Sequence, residues 1–302
     1  MNKSKTWIEI KKHRNIYLML IPIVLYYVVF KYIPIFGNII AFQDYKITRG
    51  IFESRFVGLK HFEGFLNDLY FWRLLKNTVV INLYNLVFSF PMPIILALLL
   101  NEVRSKGFKK SVQTITYMPH FISMVIVCGL VKNFVSTDGV INSIIVALGG
   151  KAVPFLTVPK YFPIVYTISD VWQNIGWSSI IYLSALSGID QELYEAANID
   201  GANRWKQTLH ITIPGLLPTI CILLIMQIGK MLTVGFEKIV LLYNPTIYES
   251  ADTISTYVYR QGILEADYSY STAVSFFNSI INFILLVAAN KISNKTTGNG
   301  LF

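Results

Sequence analysis

The chain has 302 residues, of which 54% are hydrophobic and only 14% charged, with a formal net charge of +9 and a mean hydropathy of +0.51. A soluble domain carries about 25% charged residues, so this deficit argues against an ordinary soluble enzyme and for an integral membrane protein. The basic residues flank apolar runs rather than gather on one amphipathic face, which marks a cytoplasmic membrane face and argues against a nucleic-acid partner.

Residues 1–15 place Lys3, Lys5, Lys11, Lys12 and Arg14 ahead of an apolar run over 16–36. That run continues through Tyr26, Tyr27 and Phe30 with no small-residue cleavage site after it. It therefore reads as a retained first span with a cytoplasmic start, not a cleaved signal. Trp7, Ile8 and Ile10 predict a short segment at the inner interface. Residues 37–76 are too polar to cross and predict an outward cap with an amphipathic helix over 61–76, although their basic residues run against the positive-inside count. A second span is expected over 78–100. Thr78, Asn82, Asn85 and Ser89 share one helical face there, and because polar groups facing lipid are costly, that stripe is expected to face the bundle or a water-filled path. Pro91 and Pro93 are expected to break its hydrogen-bond ladder. Arg104, Lys106, Lys109 and Lys110 then crowd a short loop, a strong inside signal.

The third span is expected over 112–134, interrupted by Pro119 and His120. His120 has two readings, a titrating group in a transport path or a histidine satisfied within its helix. The next apolar piece, 140–148, is too short to cross, since a span takes about 20 helical residues, and reads as an outer interfacial or re-entrant helix. A fourth span covers 162–186. Asp170, Gln173 and Trp177 stand on one face of it, with Trp172, Asn174, Ser178, Ser179 and Tyr182 nearby. An indole face stacks on a sugar ring while amides and carboxylates take hydroxyls, but the same groups also suit interhelical locks. A fifth span is expected over 215–236, where Gln227, Lys230 and Met231 share a face. Lys230 is either buried against a carboxylate or snorkels to an interface. Residues 237–270 predict an outward loop in which Glu237, Glu249, Asp252, Glu265 and Asp267 outweigh Lys238 and Arg260, a docking surface for an external partner. The last span, 271–289, carries a second polar stripe of Ser271, Ser275, Asn278 and Asn282, and Lys291 and Lys295 follow on the inside. The whole reads as one all-α transmembrane domain over 1–302, with six spans and both termini cytoplasmic. Its expected substrate path is Asn82, Asn85, Asp170, Gln173, Trp177, Gln227, Asn278 and Asn282.

The segment 190–214, DQELYEAANIDGANRWKQTLHITIP, is the long polar interruption between the fourth and fifth apolar runs. Residues 191–200 lack Gly and Pro and predict a short helix, stopped at Gly201, where a residue without Cβ can take positive φ. A second helical piece is expected over 203–211, running into Pro214. Glu195, Ala196, Ala197, Gly201, Ile211 and Pro214 stand at the spacings of Glu-Ala-Ala, three residues, Gly, nine residues, Ile-x-Leu-Pro, with Ile213 in place of the Leu. This segment resembles the cytoplasmic coupling loop of the membrane subunit of binding-protein-dependent ABC importers. Further stretches are similar to the LplB-like permeases of oligosaccharide importers. They are IPIFGNIIAFQDYK at 33–46, FVGLKHFEGF at 56–65, MPHFISMVIVCGL at 118–130, SGIDQELYEAANIDGA at 187–202, GFEKIVLLYNP at 235–245 and TAVSFFNSIINF at 272–283.

The resemblance implies the type I ABC importer permease fold with a cytoplasmic coupling helix, in the cell membrane of a bacterium, most often Gram-positive. It implies a second homologous permease, two ATPase subunits and an extracellular lipid-anchored binding protein that delivers an oligosaccharide. ATP and Mg belong to the ATPase subunits in that picture, and Glu195, Ala196, Ala197, Asp200, Gly201, Ile211 and Pro214 serve the coupling. The chain itself offers no phosphate-cradling loop: Gly150-Lys151 and Gly229-Lys230 lack the first Gly and the following hydroxyl residue. Its four histidines and two cysteines show no metal-ligand spacing, and Cys128 and Cys221 sit inside apolar runs, so no disulfide framework is expected. No Gly-x-Ser-x-Gly elbow occurs. The expectation is a pore subunit and not an enzyme, with no cofactor of its own. The competing readings are an ABC permease for a non-carbohydrate solute and an ion-coupled secondary transporter built on Asp170. The latter class tends to show internal repeats, and none is visible.

Overall fold

The computed structural model describes residues 12–301, so the interfacial segment expected at Trp7, Ile8 and Ile10 and the basic residues Lys3, Lys5 and Lys11 lie outside it. In chain order the helices are α1 (Arg14–Phe42), α2 (Lys60–Leu66), α3 (Phe71–Glu102), α4 (Lys106–Tyr117), α5 (Met124–Val135) and α6 (Val140–Ala147). They continue as α7 (Phe162–Ser187), α8 (Gln191–Ile199), α9 (Arg204–Ile228), α10 (Phe236–Leu242), α11 (Ile254–Tyr259) and α12 (Tyr268–Thr297). Two-residue strands β1 (Gln43–Asp44) and β2 (Arg55–Phe56) pair antiparallel, Gln43 with Phe56.

Among the described residues, five helical runs are long and apolar enough to cross a membrane: α1, α3, the 124–147 run that holds α5 and α6, α9 and α12. At 26 residues α7 has the length, but Asp170, Gln173, Asn174 and its serines dilute its apolar content. Several boundaries differ from expectation. The helix expected over 61–76 is two, because Asp68 accepts the Tyr70 N–H at 2.7 Å and starts α3 afresh. The expected third span divides at the 3-10 turn Met118–Phe121.

The prolines of the long helices do not break them. Pro34, Pro91 and Pro214 each follow a π-helical turn, at Val28–Tyr32, Asn85–Ser89 and Thr208–Thr212. A proline clashes with the carbonyl four residues back. In all three places that carbonyl lies inside the wider π turn, which makes room for the ring. The helix expected to restart near Gly215 therefore runs unbroken from Arg204.

Contacts divide the chain into two units. One comprises Met1–Asn67 with Arg260–Phe276. In it the β1–β2 pair is held under an aromatic cluster, with Phe42 5.3 Å from Phe62 and 6.0 Å from Phe276. The Tyr45 N–H donates to Ser269 Oγ at 2.9 Å. The other unit comprises Asp68–Tyr259 with Phe277–Phe302. Its core is an apolar cluster of Ile81, Cys128, Phe162, Tyr166, Ile239 and Leu242, with a second cluster around Ala97, Tyr182, Leu186 and Leu216. Helix α7 lies against the end of α4 at Gly176, where an added Cβ would meet the Thr116 carbonyl oxygen at 2.2 Å. Only glycine fits that crossing.

Residues 237–270, expected as a loop, are largely helical. They form α10, a turn at Tyr248–Ala251, α11 and the π turn Arg260–Leu264. Asp252 is fully buried; its carboxylate pairs with Arg73 at 3.2 Å and accepts from Thr256 at 2.8 Å, and its carbonyl accepts from Asn77. A buried carboxylate must be paired and hydrogen-bonded to be tolerated, and these partners do so. Lys238 is buried as well. Of the charges expected on a docking surface, Asp252 and Lys238 thus point inward.

Candidate functional site

A cavity of about 550 Å³ opens among α3, α7 and α9. Asn85 and Ser89 come to it from the π turn of α3, and Gln227 and Lys230 from the end of α9. Asp170, Asn174, Trp177, Ser178 and Tyr182 come from α7. These α7 residues recur at steps of three and four, so the helix turns one continuous polar face to the cavity. Between them lie apolar side chains such as Phe90, Ile181 and Met226. The mixture, apolar walls with a few placed polar groups and one open indole, is that of a small-molecule site.

Behind this face runs a chain of polar contacts. The His120 ring stacks on Trp177 with centroids 4.7 Å apart and planes at 4°, and Phe121 meets the same indole edge-on at 5.4 Å. His120 Nδ1 lies 3.0 Å from Asn174 Oδ1, so that nitrogen carries the proton and donates. Asn174 Nδ2 donates to Asp170 Oδ1 at 3.0 Å. On the far side of Asp170, Lys238 Nζ sits 3.6 Å from the same oxygen and 5.1 Å from the centre of the Tyr166 ring. Burial pushes the Lys238 ammonium below its ordinary pKa, and the Asp170 carboxylate opposes that shift. One face of Trp177 is thus covered, and the residue stays 44% exposed.

Of the expected path residues, Asn85, Asp170, Trp177 and Gln227 line the cavity. The other four do not line it. Asn82 is buried and donates to the Thr78 carbonyl of its own helix. Gln173 is buried beside the face, about 60° round the helix from Asp170 and on the side away from Asn174. Asn282 accepts from the Leu232 N–H at 2.9 Å and donates to Thr233 Oγ1 at 3.0 Å, which ties α12 to the residues after α9. Asn278 keeps a buried carbonyl oxygen and is not among the lining residues. Sequence spacing missed Lys238 altogether and left Asn174 in the background. The step of about one turn from Asp170 to Asn174 was the available signal; nothing local pointed to Lys238.

The second site is the Gln191–Thr212 turn. Asp190 caps α8 by accepting the Glu192 N–H at 3.0 Å, and the helix stops at Gly201, whose φ is +75°. The Ala202 N–H reaches back to the Ala197 carbonyl at 2.8 Å and the Gly201 N–H to Asn198 at 3.1 Å, the paired bonds that close a helix through a left-handed residue. Gln207 then donates to Asn198 Oδ1 at 2.7 Å and to the Ala202 carbonyl at 3.0 Å. Tyr194 and Thr212 share a hydroxyl contact at 3.0 Å, so α8 is fastened to α9 at two places. Glu195, Ala196, Asp200, Gly201 and Pro214 are exposed, whereas Ala197 and Ile211 are half-buried. Leu193, Ile199 and Trp205 stand out beside Glu192 and Glu195, with Trp205 70% exposed. Exposed apolar groups rimmed by charge on a rigid turn suit a protein partner.

The family described as binding-protein-dependent transport system inner membrane component matches residues 89–297. The chain is 44% identical over 301 residues to the polygalacturonan/rhamnogalacturonan transport system permease protein YteP of Bacillus subtilis (strain 168), covering 99% of this chain and 94% of that protein. It is 43% identical over 302 residues to protein LplB of the same strain, covering 99% and 95%. Among solved structures it is similar to a chain of a bacterial alginate ABC transporter in complex with an alginate pentasaccharide-bound periplasmic protein. There the identity is 43% and the TM-score 0.89, over 98% of this chain and 99% of that one.

Proposed function

The chain belongs to the family of binding-protein-dependent transport system inner membrane components, and from that membership we propose that it is the permease subunit of an ATP-driven importer for oligosaccharides. It is a multi-pass membrane protein with the type I permease fold, a pore subunit rather than an enzyme. In the proposal α7 joins the five apolar runs as a sixth span, both termini are cytoplasmic, and 1–302 acts as one permease domain in a Gram-positive cell membrane. A second homologous permease completes the pore, two ATPase subunits hold ATP and Mg, and this chain holds no cofactor. An extracellular lipid-anchored binding protein delivers the sugar. The cargo reading draws on the relatives, which are named for polygalacturonan/rhamnogalacturonan and alginate.

The observation that carries the mechanism is the double fastening of α8 to α9 through Gln207 and Tyr194. An ATPase subunit that grips Leu193, Glu195 and Ile199 would move α8, and a rigid joint passes that displacement into α9. Because the end of α9 carries Gln227, with Lys230 just beyond its cap, both on the cavity, ATP-driven motion then reaches the sugar site. A carrier coupled to an ion gradient would need Asp170 free to bind the ion, and Asp170 is held by Lys238 and Asn174.

The test is sugar uptake and ATP hydrolysis by the complete complex in proteoliposomes, with Gly201→Val in this chain. An added Cβ at Gly201 meets no atom within 4 Å, and its φ is +75°, so the variant's expected effect within this chain is backbone strain. Left-handed backbone costs an ordinary residue about 1–2 kcal/mol, and we expect uptake per ATP hydrolysed to fall about tenfold on that scale. Unchanged uptake per ATP would sink the coupling role of this turn.

A further inference from the structure

Lys230 stands one residue beyond Gly229, the cap of α9, and lines the cavity with its side chain exposed. Among the described residues it enters no ion pair. The cavity's other ionisable lining groups are Asp170 and the Tyr182 phenol. The Asp170 charge is already answered from behind, by buried Lys238 at 3.6 Å, and Lys238 does not line the cavity. The wall therefore presents one uncompensated positive charge, next to an open indole face and the amides of Asn85, Asn174 and Gln227. A cation inside a membrane domain is costly unless something answers it, and such residues mark the path of a ligand.

Resting on the importer reading, we propose that this cavity selects oligosaccharides that carry carboxylates, such as uronic acids, and that Lys230 is the residue that meets the sugar carboxylate. Trp177 takes the apolar face of the ring, and the amides take hydroxyls. Asp170 does not repel such a cargo because Lys238 neutralises it in advance. A neutral sugar of the same length would stack equally well on Trp177 but would leave Lys230 unanswered.

The experiment is equilibrium binding to the purified complex held with a non-hydrolysable ATP analogue, without the binding protein, so that its own selectivity does not enter. The probes are labelled trigalacturonate and trimannuronate, each beside its carboxyl-reduced neutral counterpart. A charge-assisted contact predicts that at least one acidic probe binds about tenfold to a hundredfold tighter than its neutral twin. Lys230→Gln should erase that difference by bringing the acidic probe down to its neutral twin, and Lys230→Arg should restore most of it. Equal binding of acidic and neutral probes, or no binding of either acid, overturns the proposal. So does a Lys230→Gln loss that is equal for both classes, or a complex that no longer assembles; either would place Lys230 against the partner permease. The importer reading fails on a different result, namely that no ATPase subunit copurifies with the chain or that no sugar uptake depends on ATP.

Discussion

The Gln191–Thr212 turn and the cavity wall are both polar structures within a hydrophobic chain, but they are held together over very different distances along it. In the turn, Gln207 bonds Asn198 nine residues away and Tyr194 meets Thr212 eighteen away. In the wall, His120 bonds Asn174 across 54 residues, and Asp170 pairs with a lysine on α10, beyond the whole of α9. The turn is exposed and carries its own geometry. The wall exists only once α3, α4, α7, α9 and α10 are assembled, and its Asp170–Lys238 pair is largely cut off from water. Damage to the turn should thus be local and mechanical, whereas damage to the wall should be global.

The largest effect is expected from Lys238→Met. It leaves Asp170, about a quarter exposed, with one amide donor and no counter-charge. Removing one partner of a buried pair costs about 3–5 kcal/mol, and the lower end suits a carboxylate that still touches the cavity. Thermal unfolding of the detergent-purified complex should show a clear drop in midpoint, and Asp170→Asn combined with Lys238→Met should recover most of it. If the double variant were as unstable as the single one, the charge pair would not be what holds α10 to α7.

The contrast in range also explains what could be read from sequence. The short helix expected over 191–200 and the stop at Gly201 follow from residue types at fixed short spacings, and the structure has the helix over Gln191–Ile199 and the stop at Gly201. The face of Asp170 and Trp177 was legible for the same reason, since one helix carries both. Lys238 was not, because its partner lies on another helix; composition alone gave no sign that it and Asp252 would be buried. Asn82 and Gln173 lie off the cavity for a different reason. A polar residue on the inward side of a helix is as compatible with a local carbonyl or a packed interface as with a cavity, and only the neighbouring helices decide. The prolines failed for a third reason, because π turns that absorb a proline ring leave no mark in an apolar sequence.

A smaller effect, confined to the turn, is expected from Gln207→Ala. It removes two hydrogen bonds from a buried amide, about 1–2 kcal/mol in total, and leaves the Asn198 side chain without that partner. Amide hydrogen exchange in α8 should quicken while the unfolding midpoint of the complex barely moves, and uptake per ATP should fall severalfold. If the midpoint fell as far as in Lys238→Met, the turn would not be the local structure its hydrogen bonds describe.

The smallest effect is expected from Glu102→Gln, at the place where the turn touches a distant helix. Glu102 ends α3 and lies 3.6 Å from Arg204 at the start of α9, with both side chains well exposed. Exposed pairs contribute about 0–1 kcal/mol and are screened by salt, so uptake and stability should match the parent at physiological ionic strength. Should uptake per ATP drop severalfold while stability holds, and should added salt produce the same drop in the parent complex, this contact would be transmitting force from the turn to α3. The turn would then drive two helices rather than one, and the separation between a local joint and a global wall would have to be redrawn at Arg204.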